Sequence, residues 1–400
     1  MKDIQFSVPT NWQDDLIPGL PTHAVSEIYG KLDADFIGGG RASAILHSVS
    51  RKKAARHIKQ AHTYGFKFNY LLNGTCLGNW ELTKSGQNKI KELIEWVIEA
   101  GADSVTVSSP FMMKLIKKSY TLFKVNVSVQ ENVNTIRKAL MWEEIGADKI
   151  TLSVLDTNRN FSLLKKIRGA VSCRLQLIAN LKCLAGCNLY KYHSNINAHA
   201  SQSQHRLKGY LIDYCTLRCG LIRVQEPVEY IKSMWIRPED AHYYEALGID
   251  GLKLVGRQMP TFFIHKIAHA YANRSYKGNL LDILSGAKKN IVTGNKQVLS
   301  YFRKVKYFLK PYYVNPFYLK EASNLFAEDY VTINNCGLDG FLDYFVEERC
   351  DFTCKTGCNY CYDVAKKVLN INTVKQKERI KRIESFLNKL YTGRLFRYLN

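Results

Sequence analysis

Three stretches of this chain repeat one junction: Glu99–Val107 (EAGADSVTV), Glu144–Leu152 (EIGADKITL) and Ala246–Leu254 (ALGIDGLKL). Each reads as a helix end, a glycine suited to a left-handed cap, and a short apolar strand. A unit of this kind buries its apolar face only by stacking against copies of itself, so the repetition points to a regular β/α wheel. The candidate strands are Ile4–Val8, Asp35–Ile37, Lys67–Leu72, Ser104–Val107, Lys124–Val127, Lys149–Val154, Arg174–Ala179 and Gly251–Val255. Between them lie amphipathic segments such as Arg51–Thr63, Gln87–Ala100, Val133–Glu144, Asn160–Ile167, Pro238–Leu247 and Thr261–Ala272. Eight strands with intervening helices predict an α/β fold, a closed (β/α)8 TIM-like barrel rather than an open sheet.

The barrel is expected over residues 1–286, interrupted after the seventh strand by an insertion at about 181–237 with little clean periodicity. From 287 the pattern changes. Bases and aromatics interleave over 299–320, and a basic helix over 373–390 places Ile380, Ile383, Phe386, Leu387 and Leu390 on one face. Residues 287–400 therefore read as a small Cys-rich, α-rich C-terminal module.

Eight of the eleven cysteines fall into two groups: Cys183-x3-Cys187 with Cys215-x3-Cys219, and Cys350-x3-Cys354-x3-Cys358-x2-Cys361. A free cysteine packs as a small hydrophobe and has no reason to recur so closely. Four thiolates complete a zinc site or an iron–sulfur cluster. The first group lies in the insertion, which a parallel barrel places on its catalytic face. Its x3 spacing, without the C-x2-C knuckles of zinc ribbons, favours an iron–sulfur cluster, with zinc as the alternative. The second group contains the spacing of a radical S-adenosylmethionine motif. It trails the barrel, however, and Cys350 supplies a fourth ligand that would close the open iron. A filled second cluster, or zinc, is the expectation there, with Cys336 as a substitute for Cys350. Cys76, Cys173 and Cys336 otherwise read as ordinary buried thiols.

Fifty-seven Lys and Arg against 35 Asp and Glu give a net charge of +22. Such an excess attracts RNA or small polyacids, or else reflects a lysine-rich composition. No apolar run of about 18 residues suggests a membrane span, and Met1–Phe6 lacks the apolar stretch of a signal peptide. A cytoplasmic setting follows, where clustered cysteines read as metal ligands rather than disulfides.

Strand Arg174–Ala179 running into Asn180-Leu181-Lys182-Cys183-x3-Cys187, with Cys215-x3-Cys219 following, resembles peptidase family U32. Ser128–Asn134 (SVQENVN) is similar to that family's Ser-x-Gln-x-Asn segment, and Lys253–Arg257 (KLVGR) to its Lys-Ile-x-Gly-Arg strand ending. The resemblance covers most of residues 1–285. It implies a barrel holding a [4Fe-4S] cluster on Cys183, Cys187, Cys215 and Cys219. It also implies oxygen-independent hydroxylation of tRNA or rRNA bases, with prephenate as oxygen source, or of ubiquinone precursors. The chain departs from the family pattern at Gln176 and Val255, where glutamate is usual, and in the narrower spacing of the first cysteine pair.

On this reading Arg257 and Lys253 bind a carboxylate, Gln130 and Asn132 orient a polar substrate, and His193 moves a proton. The plain alternatives are an acid-paired or capping Arg257 and a surface His193. An RNA-modifying enzyme would use 299–320 as a stacking and phosphate surface. A protease or collagenase-like peptidase, as the family label suggests, finds no Ser-His-Asp order and no H-E-x-x-H signature. A non-catalytic, cluster-bearing accessory or electron-relay protein also fits two clusters, and a paired subunit of the same family is a candidate partner.

Overall fold

The computed structural model describes residues 3–206, 209, 211–285, 325, 328–354 and 357–396. Eight parallel strands pair in chain order and close into a barrel: β1 Gln5–Pro9, β2 Val25–Gly30, β3 Lys67–Leu72, β4 Ser104–Val107, β5 Lys124–Val127, β6 Lys149–Thr151, β7 Arg174–Ile178 and β8 Gly251–Lys253. Closure runs through Gln5↔Gly251 and Ser7↔Lys253. Around it lie α1 Arg51–Thr63, α2 Lys84–Glu99, α3 Pro110–Ser119, α4 Ile136–Glu144 and α5 Phe161–Ala170. After β7 come α6 Tyr190–His199, α7 Tyr214–Gln225, α8 Glu229–Lys232 and α9 Ala241–Ala246, and after β8 comes α10 Thr261–Ala272.

The second strand is not Asp35–Ile37. Val25–Gly30 fills that rung, and Asp35–Ile37 belongs to the loop beyond it. The strand is masked in the sequence because Glu27 points into the barrel, where Lys149 neutralises it at 2.7 Å. Asp35 instead shapes a turn, its Oδ1 accepting the N–H groups of Ile37 and Gly38 at 3.1 and 2.7 Å. The insertion is also more regular than its sequence suggests, since it folds into α6, α7 and α8.

The repeated junction has one structural solution used three times. Gly101, Gly146 and Gly248 all take positive φ, the conformation only glycine adopts without strain. The aspartate two residues on then reaches the preceding strand. Asp103 accepts Phe68 N–H at 2.7 Å, Asp148 accepts Val125 N–H at 2.8 Å and Asp250 accepts Leu175 N–H at 2.8 Å. A base from an outer helix pairs with each: His62 at 2.9 Å, Lys117 at 2.6 Å and Arg168 at 3.1 Å. These lie at the strand N-termini, the face that serves stability in such barrels.

Beyond the barrel, β9 Val331–Ile333 pairs antiparallel with β10 Leu369–Ile371. Helices Tyr360–Val368 and Thr373–Tyr391 flank this ribbon. Its residues Ile333, Phe341, Phe345 and Phe386 are buried in the same apolar cluster as the barrel's outer layer. The basic and aromatic stretch 299–320 and the expected boundary at 286/287 lie outside the described residues. No helix among the described residues is long and apolar enough to cross a membrane.

Candidate functional site at the barrel mouth

The barrel interior is polar where a purely structural barrel is aliphatic. Glu27 takes Lys149 on one oxygen and Ser7 Oγ at 2.8 Å on the other, and Gln176 Nε2 donates to the same Ser7 at 2.8 Å. Thr151 Oγ1 donates to Gln176 Oε1 at 3.2 Å. Gln176 thus acts as a neutral spacer in a hydrogen-bonded ring, with no acid at this position.

Lys253 closes this layer. Its Nζ stands 3.9 Å from the centre of the Tyr29 ring. Burial pushes the ammonium down to about 7, with Lys149 and Arg257 adding to the effect against Glu27. The Tyr29 hydroxyl donates to Leu254 O at 2.7 Å. Above them sits Arg257, buried, with Nη1 lacking any hydrogen-bond partner. Burial lowers its pKa to about 10, and Arg41 lowers it further while Tyr29 opposes. A buried guanidinium with an open nitrogen is costly to keep unless an anion visits it.

Arg41 is the residue that sequence reasoning missed. It follows Gly38-Gly39-Gly40 at the carboxyl end of β2, and its charge reaches Arg257, Tyr29, Tyr190 and Cys183. The glycines are required by contact. A Cβ on Gly40 would stand 2.0 Å from the Gln130 side-chain amide, and one on Gly38 2.4 Å from Ala198 O. A glycine triplet directly before an arginine at a strand's carboxyl end was the available signal. Gln130 is fixed beneath that loop. With its amide oriented to satisfy both neighbours, it donates to Asn73 O at 2.7 Å and accepts Gly40 N–H at 3.2 Å. Asn132, next along, accepts from Ser153 Oγ at 2.5 Å.

Cys183 and Cys187 pack with Val154, Leu155, Ile178 and Val255 around the ends of β6, β7 and β8. Val255 therefore provides apolar cover where the family's glutamate would bring charge. Cys215 and Cys219 arrive from the first turns of α7, whose N-terminus is capped by Asp213. The thiols are close enough to oppose one another's ionisation. Burial raises Cys183 to about 11 and Cys215 to about 12. The charge of Cys219 adds to both, and that of Cys187 acts in the same direction. Burial likewise raises Cys187. Arg223, buried, hydrogen-bonds Cys219 and donates to Lys182 O at 3.3 Å. Lys182 and Arg223 share Glu328, whose other contact is Tyr230 Oη at 2.9 Å. Among the described residues, no group of three or more His, Cys, Asp or Glu is arranged to hold an ion as it stands. The residue types nevertheless suit a thiophilic cation: four thiols carried by the insertion, the buried bases Lys182 and Arg223 acting on Cys219, and an apolar floor under Cys183 and Cys187.

His193 does not join this group. It lies on α6, part-exposed, its Nε2 3.2 Å from Asp213. The structure thus brings Arg257, Lys253 and Gln130 to the mouth and leaves His193 on the insertion's flank. Cys350, Cys354, Cys358 and Cys361 lie apart from the mouth in the C-terminal segment, Cys354 exposed and the other three half-buried. Cys336 is exposed, and Cys76 and Cys173 are half-buried, so none of the three is a fully buried thiol. An open cleft of about 480 Å³ lies between α6, α7 and the last helix, lined by Tyr192, Ile196, Tyr214 and Leu390 among others. Its walls hold neither the thiols nor the arginines.

A closed parallel barrel of eight strands with helices between them is a (β/α)8 barrel. Residues 29–180 match peptidase family U32, a span that ends just before the first cysteine pair. An uncharacterized protease of Methanocaldococcus jannaschii is 30% identical over 337 residues, covering 84% of this chain and 87% of the relative. This chain belongs to peptidase family U32. Among solved structures, the U32 peptidase Mk0906 is similar over 64% of this chain and 94% of its own, at 18% identity and a TM-score of 0.48.

Proposed function

We propose that this protein is an iron–sulfur barrel enzyme performing oxygen-independent hydroxylation, or a related redox modification, with an anionic carboxylate compound bound at the barrel mouth. The observation that carries the reading is Arg257: a buried guanidinium with Nη1 open, whose charge is opposed by Arg41, the same arginine that acts on the Cys183 thiol. Cys183, Cys187, Cys215 and Cys219 would hold the cluster, which supplies one-electron chemistry when bound.

The chain's own residues do the rest. Arg257 and Arg41 attract and orient the carboxylate, Arg257 through its planar fork. Lys253, with its pKa near 7, exchanges a proton at Nζ close to neutral pH. Gln130 fixes the loop that carries Arg41. The apolar residues Val154, Leu155, Ile178 and Val255 keep water from the thiols. The net charge of +22 supports RNA as the molecule modified, by long-range attraction.

The peptidase reading rests on the family's label and the relative's name. It predicts peptide cleavage that survives loss of iron. The hydroxylase reading is tested by growing a strain that lacks this chain without oxygen and surveying nucleosides and small aromatic acids by mass spectrometry. A hydroxylated species lost in the deletion, and restored by wild type but not by Arg257→Met, supports it. An unchanged survey, with iron-independent peptide cleavage by the purified chain, contradicts it.

A further inference from the structure

Helix α6 and the turn that ends it direct polar groups at loops rising from three other strands. Near its start, Tyr190 Oη donates to Val129 O at 3.1 Å and Lys191 Nζ donates to Gln130 O at 3.0 Å, both beyond β5. Asn195 Oδ1 accepts from Thr75 Oγ1 at 2.7 Å, beyond β3. From Asn197 on, the contacts pass to the loop after β2. Asn197 Oδ1 accepts Ala42 N–H at 3.1 Å, Ser201 Oγ accepts Gly39 N–H at 2.8 Å, and Gln202 Nε2 donates to Ile37 O at 3.2 Å. The backbone adds to this grip. Ala200 O accepts Ser43 N–H at 3.2 Å, and Ser203 N–H donates to Asp35 O at 2.8 Å.

The part of the β2 loop held in this way is Gly38-Gly39-Gly40-Arg41. Three consecutive glycines have no side chains to settle their own path, and glycine loses more freedom on ordering than any other residue. The path of the turn is therefore imposed by what surrounds it. Asp35 imposes it from the barrel side, paired with Lys31 at 2.8 Å and accepting from Tyr70 Oη at 3.1 Å. Ser201 and Asn197 impose it from the insertion, and both are buried. Arg41 follows the turn, because its Nη1 donates to Gly40 O at 2.7 Å. The ends of the same loop reach Arg257, since Lys31, His47 and Arg257 line one small cavity.

We propose that Ser201 and Asn197 are positioning residues for the carboxylate at the barrel mouth, fixing the Gly38–Arg41 turn so that Arg41 meets the same anion as Arg257. The proposal rests on the reading of Arg41 and Arg257 as the anion site. Neither Ser201 nor Asn197 touches the ligand, and each acts through Arg41. Both are braced from behind. Asn197 Nδ2 donates to His193 O at 2.9 Å, and Ser201 Oγ donates to Asn197 O at 2.9 Å. The end of α6 is thus a rigid support, which the placement of a charged planar fork requires. An insertion after the seventh strand sets the geometry of a group that belongs to the second.

The test is carboxylate binding by the full-length chain, with malonate, succinate, citrate and benzoate as probes and chloride at equal ionic strength as control. Dissociation constants come from calorimetry, and melting temperatures without ligand are recorded alongside. Ser201→Ala is expected to bind the preferred probe about tenfold more weakly than wild type, and Arg41→Met likewise. The double variant is expected to be no weaker than Arg41→Met alone, because Ser201 acts through Arg41 and the two effects do not add. Asn197→Ala, a second route to the same turn, should repeat this pattern. A brace that serves only the fold lowers the melting temperature and leaves the dissociation constant where it was, which overturns the proposal. Effects that add in the double variant overturn it too. Failure of the carboxylate reading gives a different result: no probe binds the wild type, or binding is indifferent to Arg257→Met, and this proposal falls with it.

Discussion

Asp148 Oδ2 lies 2.6 Å from Lys117 Nζ and also accepts the Val125 N–H at 2.8 Å, so one carboxylate joins a helix base to the start of the neighbouring strand. Lys117, Val125 and Lys124 together hold its pKa below the usual carboxylate range, against the opposing effect of burial. The stability it contributes is present above the unfolded value near 3.8 and disappears as pH falls through the lower folded value. Asp148→Ala should destabilise the barrel by about 2 kcal/mol, because the Val125 N–H loses a charged acceptor. Urea unfolding at pH 7 measures this, and turnover should stay unchanged, since the junction is at the face opposite the mouth.

Glu27 is the only carboxylate to reach Lys149 among the described ion pairs. Lys149 and Lys253 both hold its pKa down, against burial. Glu27→Gln leaves the Lys149 ammonium inside the barrel with no counter-charge and removes the charge that holds Lys253 up. A loss of about 3–5 kcal/mol is expected, read from the urea midpoint at pH 7.

Arg257 works against the fold. Burial brings its pKa to about 10 from 12.5, so its proton is held less well folded than unfolded and its charge destabilises the native state at neutral pH. Arg257→Met should therefore raise the melting temperature. It should also lower kcat/KM by roughly 100-fold through the lost bidentate contact. A variant both less stable and fully active would refute the assignment of this residue to binding.

His57 supplies a pH signature unrelated to the site. Its ring is buried beside Trp12, Nε2 lies 2.8 Å from Thr10 Oγ1, and burial pushes its pKa down to about 4. Between pH 6.5 and 4 the unfolded chain takes up a proton that the folded chain refuses, so stability falls on acidification, by roughly 3 kcal/mol in total. His57→Gln should remove that part of the slope in denaturation curves at pH 6.5, 5 and 4.

The barrel was legible because strands such as Ser104–Val107 are β-branched at every position but the first and the Gly-x-Asp junction recurs at three sites. Strand Val25–Gly30 was hidden by Glu27, whose partner Lys149 lies 122 residues away. Helix α6 was hidden because it has no side-chain cap and its Ser, Asn and His residues carry little helical preference. Arg41 was hidden too, because its importance depends on a loop that folds back over Gln130.

The most direct measurement is iron and sulfide content, with electron paramagnetic resonance after dithionite reduction, on protein purified without air. About four irons and four sulfides per chain, and a low-temperature signal abolished by Cys215→Ala, are the expected result. A colourless protein with no iron, whether or not it carries zinc, would contradict the redox reading and leave a U32 barrel with a cationic mouth and a different chemistry.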